Sequence, residues 1–506
     1  MRGKCSCAAA IVMSLLLLPN VSFSQNDGED YETWKKRAQA EYGNYKRQQQ
    51  SDYENFRQKA NADYAEFLKK HWEGLQAFKG IKPPEPPAPV PPVVIPEEDR
   101  EKERKDDPKP YEEVVVVEPP KPQPTPVEPV APPEPVKPKQ ETISTNFFGT
   151  RIECLVEKKP QFTLGSLDEE SISKAWGRLS DGHCDALLSQ CMKLRGRYRL
   201  SDWGYIQLLD SISSVCCKRP NEATFLMCWL YCQSGYKMRL ARDNNRLYML
   251  FASENLIYNI SYFEINNELF YCYKGGEVGS SLYVCDVAFP KERTMTLKMT
   301  SEPQLKVRTS NKRTLKSKQY PALTLTTTVN QNLIDFYSNY PTGSINEDFG
   351  TRWAMYANTP LSEEARKAIY PRLKKLMEGK SKLKATEELL NFVQTAFVYE
   401  YDDKVWGCDR AFFAEETLFY PYADCEDRSI LFSRLVRDLL GLKVVLIYYP
   451  GHLATAVHFV GEQPNGDYLE LKDGKYYIAD PTYIGAPVGV SMPDIREDIK
   501  NVVILK

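Results

Sequence analysis

The stretch Cys425-Glu-Asp-Arg-Ser-Ile-Leu-Phe-Ser-Arg-Leu-Val-Arg-Asp-Leu-Leu-Gly441 has the apolar spacing of one amphipathic helix. Gly441 supplies the left-handed residue that ends many helices. Asn465-Gly466 and Asp473-Gly474 are typical hairpin turns. The strands predicted around these turns are 443–449, 452–460, 468–471 and 476–479. A helix followed by an antiparallel sheet predicts an α+β domain over residues 331–506.

Three residue types in this domain suit nucleophilic catalysis. Cys425 begins the predicted helix, His452 begins a predicted strand, and Asp480 ends another. A helix N-terminus and a neighbouring imidazolium both lower the pKa of a thiol. A carboxylate can hold the second nitrogen of the imidazole. The order helix, strand, next strand can therefore supply a nucleophile, a base and an orienting acid.

The chain has four histidines, of which His452 and His458 lie on the same predicted strand. They are six residues apart, so both side chains point to one face of the sheet. His458 would lie roughly 20 Å further along the strand. Position favours His452 as the base, and His458 remains the alternative.

Three ordered motifs resemble the transglutaminase-like superfamily of papain-fold cysteine enzymes. They are Tyr422-Ala-Asp-Cys-Glu-Asp-Arg-Ser, Gly451-His-Leu-Ala-Thr-Ala-Val-His-Phe and Tyr476-Tyr-Ile-Ala-Asp-Pro-Thr. The resemblance covers about 120 residues and implies Cys425 as nucleophile, His452 as general base and Asp480 as orienting acid. Two features depart from the family pattern: Ala454 stands where a Trp is usual, and the interval between the His and the Asp is longer.

This resemblance implies a cysteine hydrolase, similar to a protease or amidase, that acts on peptide or amide bonds through a thioester acyl-enzyme, and the N-terminal signal peptide described below predicts that it is exported. With an amine in place of water, the same site would be a transglutaminase. The expected substrate is a protein, a peptide or a peptidoglycan-type molecule, with no cofactor and no metal. The alternative is a non-enzymatic envelope scaffold whose transglutaminase-like domain is degenerate.

The charge and proline composition argues against a nucleic-acid-binding protein and predicts a linker within the chain. The 506 residues contain 66 Lys and Arg against 68 Asp and Glu, and so lack the basic excess of a nucleic-acid binder. Of the 35 prolines, 20 fall between Pro83 and Pro138. Residues 81–140 are therefore predicted to form an extended proline-rich linker that builds no core. Val114–Val117 inside it is either a short β-docking motif or unstructured.

The N-terminus predicts export. Arg2 and Lys4 precede an uncharged apolar run over residues 8–18, and Ser22-Phe-Ser24 places small residues before a cleavage point. Residues 1–24 therefore form a predicted signal peptide, since the run is shorter than the ~20 residues that span a membrane. We expect no integral membrane span and a periplasmic or cell-envelope location, with secretion as the alternative.

Residues 25–80 carry an aromatic repeat of 11 residues. Its apolar pairs are Tyr31/Trp34, Tyr42/Tyr45, Tyr53/Phe56, Tyr64/Phe67 and Leu75/Phe78. Eleven residues make close to three helical turns, so the pairs should form one stripe along a long helix, in the manner of a coiled coil. Such a stripe needs a partner. We favour self-association or packing on the chain's own domains over docking to an envelope partner.

Residues 141–330 are predicted to form a second α+β domain, the middle domain. Its segment from Pro220 to Gly235 resembles Cys425–Gly441 in shape, with Pro220 at the place of the nucleophile and no His for a base. The middle domain is either a degenerate copy of the last domain or an unrelated α+β domain. Nine of the 13 cysteines lie here. Export permits disulfides, but the sequence leaves the pairing open.

Overall fold

The computed structural model describes residues 31–82, 92–94, 110–111, 116–117, 141–258, 260–275, 281–345, 352–407, 409–495 and 498–505. The predicted signal peptide, Cys408 and most of residues 81–140 lie outside these ranges. The described residues combine helices with mostly antiparallel sheets, which confirms the α+β class.

The helices are α1 Tyr31–His71, α2 Glu169–Leu179, α3 Asp185–Arg197, α4 Asp202–Cys216, α5 Pro220–Gln233, α6 Gln331–Tyr337, α7 Arg352–Asn358, α8 Glu363–Met377, α9 Lys382–Ala396, α10 Asp402–Val405, α11 Ala414–Phe419 and α12 Cys425–Leu440.

The strands are β1 Gln76–Lys79, β2 Pro110–Tyr111, β3 Val116–Val117, β4 Glu141–Phe147, β5 Thr150–Val156, β6 Met238–Arg242, β7 Leu247–Ala252, β8 Asn255–Ile257, β9 Tyr262–Ile265, β10 Glu268–Cys272, β11 Ser281–Val284, β12 Arg313–Lys316, β13 Thr324–Thr327, β14 Gly343–Ile345, β15 Lys443–Tyr449, β16 His452–His458, β17 Tyr468–Leu471, β18 Gly474–Ala479 and β19 Asn501–Ile504.

Contacts divide the chain into two units. The first comprises residues 1–59 and 127–132, and its described part is α1 up to Lys59. The aromatic repeat is exposed there: Tyr42 and Tyr45 are 68% and 63% exposed, and Tyr53 is 44% exposed. These three rings belong to none of the hydrophobic cores found among the described residues.

The second unit contains residues 60–126 and 133–506. Tyr64, Leu68 and Trp72 are buried here, in the same core as the helices of the middle domain. The amide of Asn61 exchanges two 2.9 Å hydrogen bonds with that of Gln233 on α5. From Ala60 onward the aromatic helix is thus an integral part of the middle domain's core.

The predicted helix over residues 25–80 is wrong at its C-terminal end. α1 ends at His71, and residues 76–79 form β1, which pairs with β11. Phe78 of the last aromatic pair therefore lies on a strand. The physical reason is that the ladder to β11 supplies backbone hydrogen bonds that a continued helix would have made internally.

Parts of the predicted linker pair with the last domain. Pro110–Tyr111 add a parallel strand beside β17, and Val116–Val117 add one beside β19. Val94 bridges Ile484. In these described pieces the stretch is not only a spacer, because it covers both edges of a sheet that would otherwise present unpaired backbone groups. Of the two alternatives for Val114–Val117, the strand is the one found at Val116–Val117.

The middle domain holds a six-stranded sheet in the order β1-β11-β6-β7-β10-β9, with α4 and α5 packed against each other beside it. Residues 203–217 and 222–233 have helical periodicity in the sequence, and the two helices this predicts are confirmed within two residues as α4 and α5. The alternating apolar residues of Thr294–Met299 predict a strand, and this prediction is wrong. Only Met295 of that run pairs, through a single bridge to Ser253.

The last domain is built on a seven-stranded sheet in the order β2-β17-β18-β16-β15-β19-β3. The predicted helix Cys425–Leu440 is confirmed as α12, and the predicted strands are confirmed as β15, β16, β17 and β18. α12 lies against β15 and β16, and α9 packs beside it. This layer places the first residue of α12 at the start of β16.

The two sheets share one topology. After α5 the strand order is β11-β6-β7-β10-β9, and after α12 it is β19-β15-β16-β18-β17. Every neighbouring pair within these five-stranded sets is antiparallel. In each case the first two strands after the helix form a central hairpin. Five strands of each sheet are thus arranged in the same order and direction after a helix.

Candidate active site

Cys425 is the first residue of α12. Asp424 is the N-cap: its side chain accepts hydrogen bonds from the backbone N–H groups of Glu426 and Asp427. The carboxylate of Asp427 bonds back to the N–H of Asp424, which completes a capping box. Cys425 is therefore fixed in the first turn, where backbone N–H groups lack partners within the helix.

His452 and Asp480 form a buried hydrogen-bonded pair. Nε2 of His452 lies 2.8 Å from Oδ2 of Asp480, and both residues are 2% exposed. The other carboxylate oxygen accepts N–H bonds from Thr482 at 2.8 Å and Tyr483 at 3.2 Å. The other ring nitrogen, Nδ1, is buried and has no hydrogen-bond partner among the described residues. Nε2 of the imidazole is thus held by Asp480, and Nδ1 is left to interact with a further group.

The start of α12 is tied to the start of β16 beside His452. The backbone of Leu453 hydrogen-bonds to the sulfur of Cys425, and Oγ of Ser429 donates to the Leu453 carbonyl at 2.8 Å. Cys425 thus lies against the residue that follows His452. No hydrogen bond joins Cys425 to His452 in the described part of the chain.

Burial raises the pKa of the Cys425 thiol well above its usual range. The carboxylates of Asp424 and Glu426 on either side raise this pKa further, whereas the Leu453 hydrogen bond lowers it. Cys425 is 4% exposed, so the sulfur is enclosed. Tyr399 lies close enough that negative charge on Cys425 raises the pKa of the phenol. In this closed arrangement the thiol holds its proton at neutral pH.

His458 lies at the other end of β16. Its Nδ1 is 2.9 Å from the carbonyl of Lys475, and its ring lies against Tyr476. It contacts the backbone of β18 rather than Asp480. Of the two histidines that the sequence left open, His452 is the one that meets the acid.

Gln394 of α9 holds the loop that follows Asp480. Its Nε2 donates to the carbonyl oxygens of Asp480, Tyr483 and Ala486 at 2.8–3.0 Å. Its Oε1 accepts from the N–H of Gly485 at 3.1 Å. One buried amide therefore fixes four backbone groups of this loop.

Arg428 holds the segment that precedes Cys425. The guanidinium is buried and donates to the carbonyl oxygens of Ala423, Gln394 and Phe397 at 3.0–3.1 Å. It joins the end of α9 to the residue before the N-cap of α12. Sequence reasoning missed both Arg428 and Gln394, because each acts on backbone carbonyls and leaves no pattern among side chains.

Trp406 and Tyr420 precede the thiol in sequence, where aromatic side chains either line a cleft or, as we favour from the sequence, pack in the core. Their ring centroids are 4.8 Å apart and the guanidinium of Arg410 lies over both rings. Both residues are half-buried. They form a packed aromatic cluster with one accessible side.

An acidic cluster lies behind Glu426. Asp402, Asp409 and Glu426 each place an oxygen within 4.8 Å of the others, an arrangement that could hold a cation. Arg352 donates to both Asp409 and Glu426, and the indole of Trp353 donates to Glu426 at 2.5 Å. A buried guanidinium already pairs with two of the three carboxylates, so the cluster is an ion-paired anchor for the first turn of α12.

The matching topology identifies the equivalent positions in the middle domain. Pro220 begins α5 as Cys425 begins α12, and Leu247 begins β7 as His452 begins β16. The fourth residue of β7 pairs with the last residue of β10, as in β16 and β18, so Tyr273 corresponds to Asp480. Pro220 offers no nucleophilic side chain and Leu247 offers no base, while Tyr273 puts a phenol in place of the carboxylate and donates to Asp210 at 3.4 Å.

Family models, curated proteins and solved structures were each compared with the chain, and none matches it. In the described residues, no helix combines the length and apolar character needed to cross a membrane.

Proposed function

We propose that the last domain is transglutaminase-like and that the protein is an exported cysteine hydrolase acting on peptide or amide bonds. Cys425 is the nucleophile, His452 the general base and Asp480 the orienting acid. The observation that supports this assignment is the buried pair of His452 and Asp480, whose free ring nitrogen lies beside the strand residue that binds Cys425.

In the proposed reaction, Nδ1 of His452 takes the thiol proton as the sulfur of Cys425 attacks the carbonyl carbon. The negative oxygen that forms is stabilised by the backbone N–H of Cys425, because those of Glu426 and Asp427 already donate to the Asp424 cap. The imidazolium then gives its proton to the leaving nitrogen, the C–N bond breaks and a thioester remains. Water, deprotonated by His452, hydrolyses the thioester and restores the thiol.

Asp480 has two functions in this scheme. Its bond to Nε2 keeps a proton on that nitrogen, so the neutral ring presents the lone pair of Nδ1 to the thiol. Its charge stabilises the imidazolium that forms during attack. Because the sulfur is enclosed, a substrate must displace side chains around Cys425, and the half-buried Tyr399, whose phenol is close enough to respond to charge on Cys425, is one candidate.

The middle domain lacks the thiol, imidazole and carboxylate of this reaction, because Pro220, Leu247 and Tyr273 stand at the three equivalent positions. We propose that it serves the protein as a non-catalytic copy and that catalysis belongs to the last domain alone.

The deciding experiment measures thiol reactivity in the intact protein. Iodoacetamide is applied to the full chain below pH 7, and the alkylated cysteines are identified by peptide mass spectrometry. When the enclosed site opens to the reagent, Nδ1 of His452 takes the thiol proton as it does in the proposed reaction, so we expect Cys425 to react at least tenfold faster than the buried Cys228, which has no such base and serves as the internal control. His452→Gln should remove the difference.

The same proteins are then incubated with a mixed peptide library, and new amino termini and released ammonia are measured. Cys425→Ala should abolish both, and Cys228→Ala should not. If Cys425 reacts no faster than Cys228 and Cys425→Ala changes no product, the hydrolase proposal is wrong and the non-enzymatic scaffold takes its place.

A further inference from the structure

The first unit of the chain presents an exposed aromatic stripe. Tyr42, Tyr45 and Tyr53 of α1 are 68%, 63% and 44% exposed. Exposed apolar side chains are normally scattered singly, whereas these three belong to a regular repeat of 11 residues along one face of a helix. A helix that is polar on its other faces gains most of its stability from packing such a stripe against a partner.

Charged residues border the stripe in the same repeat. The basic residues Lys46 and Arg57 each follow a stripe tyrosine by four positions. The acidic residues Glu41 and Asp52 each precede one directly. Because 11 residues make three turns, each residue advances the helix by about 98°. With this advance the basic pair lies along one border of the stripe and the acidic pair lies along the other.

This arrangement suits a second copy of the same helix in one orientation. When two identical helices lie side by side and parallel, the left border of each faces the right border of the other, as positions e and g do in a coiled coil. Acidic residues of one copy then meet the basic residues five positions further along the other. In an antiparallel pair identical borders meet, so like charges would face each other and repel.

The acidic border makes only exposed contacts within its own helix. Glu41 lies 3.9 Å from Arg37, and the two side chains are 73% and 57% exposed. Asp52 accepts a hydrogen bond from Gln48 at 2.9 Å, also at the exposed surface. Exposed pairs of this kind contribute little to stability. They therefore oppose only weakly an exchange for contacts with another helix.

We propose that two copies of the chain associate through α1 as a parallel two-stranded coiled coil over residues 41–57. Glu41 of each copy faces Lys46 of the other, and Asp52 faces Arg57. The stripe tyrosines pack between the helices, and the repeat of 11 residues gives the pair a slight right-handed supercoil. The inference goes beyond the proposed hydrolase and holds equally for an enzyme and for a scaffold.

Sedimentation velocity over a range of concentrations tests the association, with the full chain after removal of the predicted signal peptide. We expect a monomer–dimer equilibrium that Tyr42→Ser/Tyr53→Ser weakens at least tenfold. Asn55→Ser/Gln58→Ser is the matched control, because the repeat places both residues on the face opposite the stripe, and it should leave the equilibrium unchanged. At a dilution where every variant is monomeric, the melting temperatures should agree, since the two tyrosines belong to no described core.

Carbodiimide cross-linking, which joins a carboxylate to an amine in contact with it, tests the orientation. Unlabelled and isotope-labelled chains are mixed, so that a cross-linked peptide pair of mixed label comes from two copies. We expect a mixed-label link between Glu41 and Lys46. Lys46→Glu/Arg57→Glu alone should be monomeric because both borders become acidic, and mixing it with Glu41→Lys/Asp52→Lys should restore the dimer.

A chain that stays monomeric at every concentration, or a dimer that Tyr42→Ser/Tyr53→Ser leaves intact, would overturn the proposal. A dimer without the mixed-label link between Glu41 and Lys46 would overturn the parallel pairing. Binding of a monomeric wild-type chain to purified peptidoglycan, with no binding by the tyrosine variant, would assign the stripe to an envelope ligand instead.

Discussion

The Nε2 atom of His452 and the Oδ2 atom of Asp480 are 2.8 Å apart in a part of the molecule that water does not reach. Such a contact fixes both the orientation and the tautomer of the imidazole. It leaves Nδ1 as the nitrogen available to a nucleophile. The first prediction follows from this geometry.

Asp480→Asn should slow the reaction of Cys425 with iodoacetamide by about 10²- to 10⁴-fold. The asparagine oxygen can still accept the N–H bonds of Thr482 and Tyr483, so the loop should keep its shape. Its amide would donate to Nε2 and force the ring proton onto Nδ1, which then cannot take the thiol proton. Labelling kinetics and the melting temperature are measured together.

The control for this prediction is Asp467→Asn, which alters another buried carboxylate of the same domain. Asp467 accepts a hydrogen bond from the N–H of Ser491 and does not contact His452. Equal labelling rates in the Asp480→Asn and wild-type proteins, with both folded, would show that Asp480 does not orient the base.

Gln394→Ala should reduce both stability and labelling of Cys425. The change leaves three carbonyl oxygens and one N–H of the 480–486 loop without their partner, at a cost of about 2–4 kcal/mol in the free energy of unfolding. Release of the loop also frees Asp480. Urea unfolding gives the first quantity and iodoacetamide kinetics the second.

Asn391→Ala is the matched control on the same helix, one turn away. Asn391 accepts from Ser317 at 2.7 Å and from the N–H of Gln319 at 3.2 Å, and these partners lie outside the loop. It should lower stability without changing the labelling rate of the folded protein. If both variants slow labelling equally, Gln394 has no special effect on Asp480.

The sequence predicted the elements that carry Cys425, His452 and Asp480, because strong periodicity and turn residues define α12 and the hairpins around it. It could not predict the contacts of Gln394 and Arg428. Each is some 30 or more residues away from part of what it binds, and each binds main-chain oxygens that every residue possesses. Tertiary proximity alone gives these two side chains their function.

Two further differences between the sequence prediction and the structure have local causes. The aromatic repeat predicted a helix through residue 80, but strand pairing with β11 begins at Gln76 and overrides the helical pattern. The proline-rich composition predicted an extended linker, with a β-docking motif at Val114–Val117 as one alternative, and Pro110–Tyr111 and Val116–Val117 are found at sheet edges. A proline is tolerated at such an edge, where it need not donate to the ladder. Composition reflects only the conformational preference of the segment itself. It does not show that a neighbouring sheet has an edge strand with unpaired backbone groups.

Arg352→Ala should destabilise the protein by about 3–5 kcal/mol, because it leaves the buried carboxylate of Glu426 without its cation. Arg308→Ala is the control. Arg308 pairs with Asp335 at 2.5 Å, and both side chains are about half exposed, so its loss should cost about 1 kcal/mol or less. Urea unfolding compares the two. Similar losses for the two variants would mean that the buried cluster adds no stability beyond a surface pair.

Stability should fall as pH rises from about 4.5 to about 7, with Glu415 as one identifiable cause. Burial raises the pKa of Glu415 to about 7 from 4.5, and hydrogen bonds from Ser362 offset this only in part. A carboxyl with a raised pKa in the folded state binds its proton more tightly there than in the unfolded chain. Its stabilising contribution is complete below about 4.5 and is lost as the pH reaches about 7.

The shift corresponds to about 3 kcal/mol in the free energy of unfolding. Glu415→Gln keeps a neutral side chain that can still accept from the N–H of Ser362, so the variant should show a flatter stability profile between pH 5 and 8. Glu363→Gln is the control: the pKa of Glu363 is lowered by Lys367, which places its titration below this range. Urea unfolding at several pH values measures each slope. A slope that Glu415→Gln leaves unchanged would show that Glu415 is already ionised throughout the range.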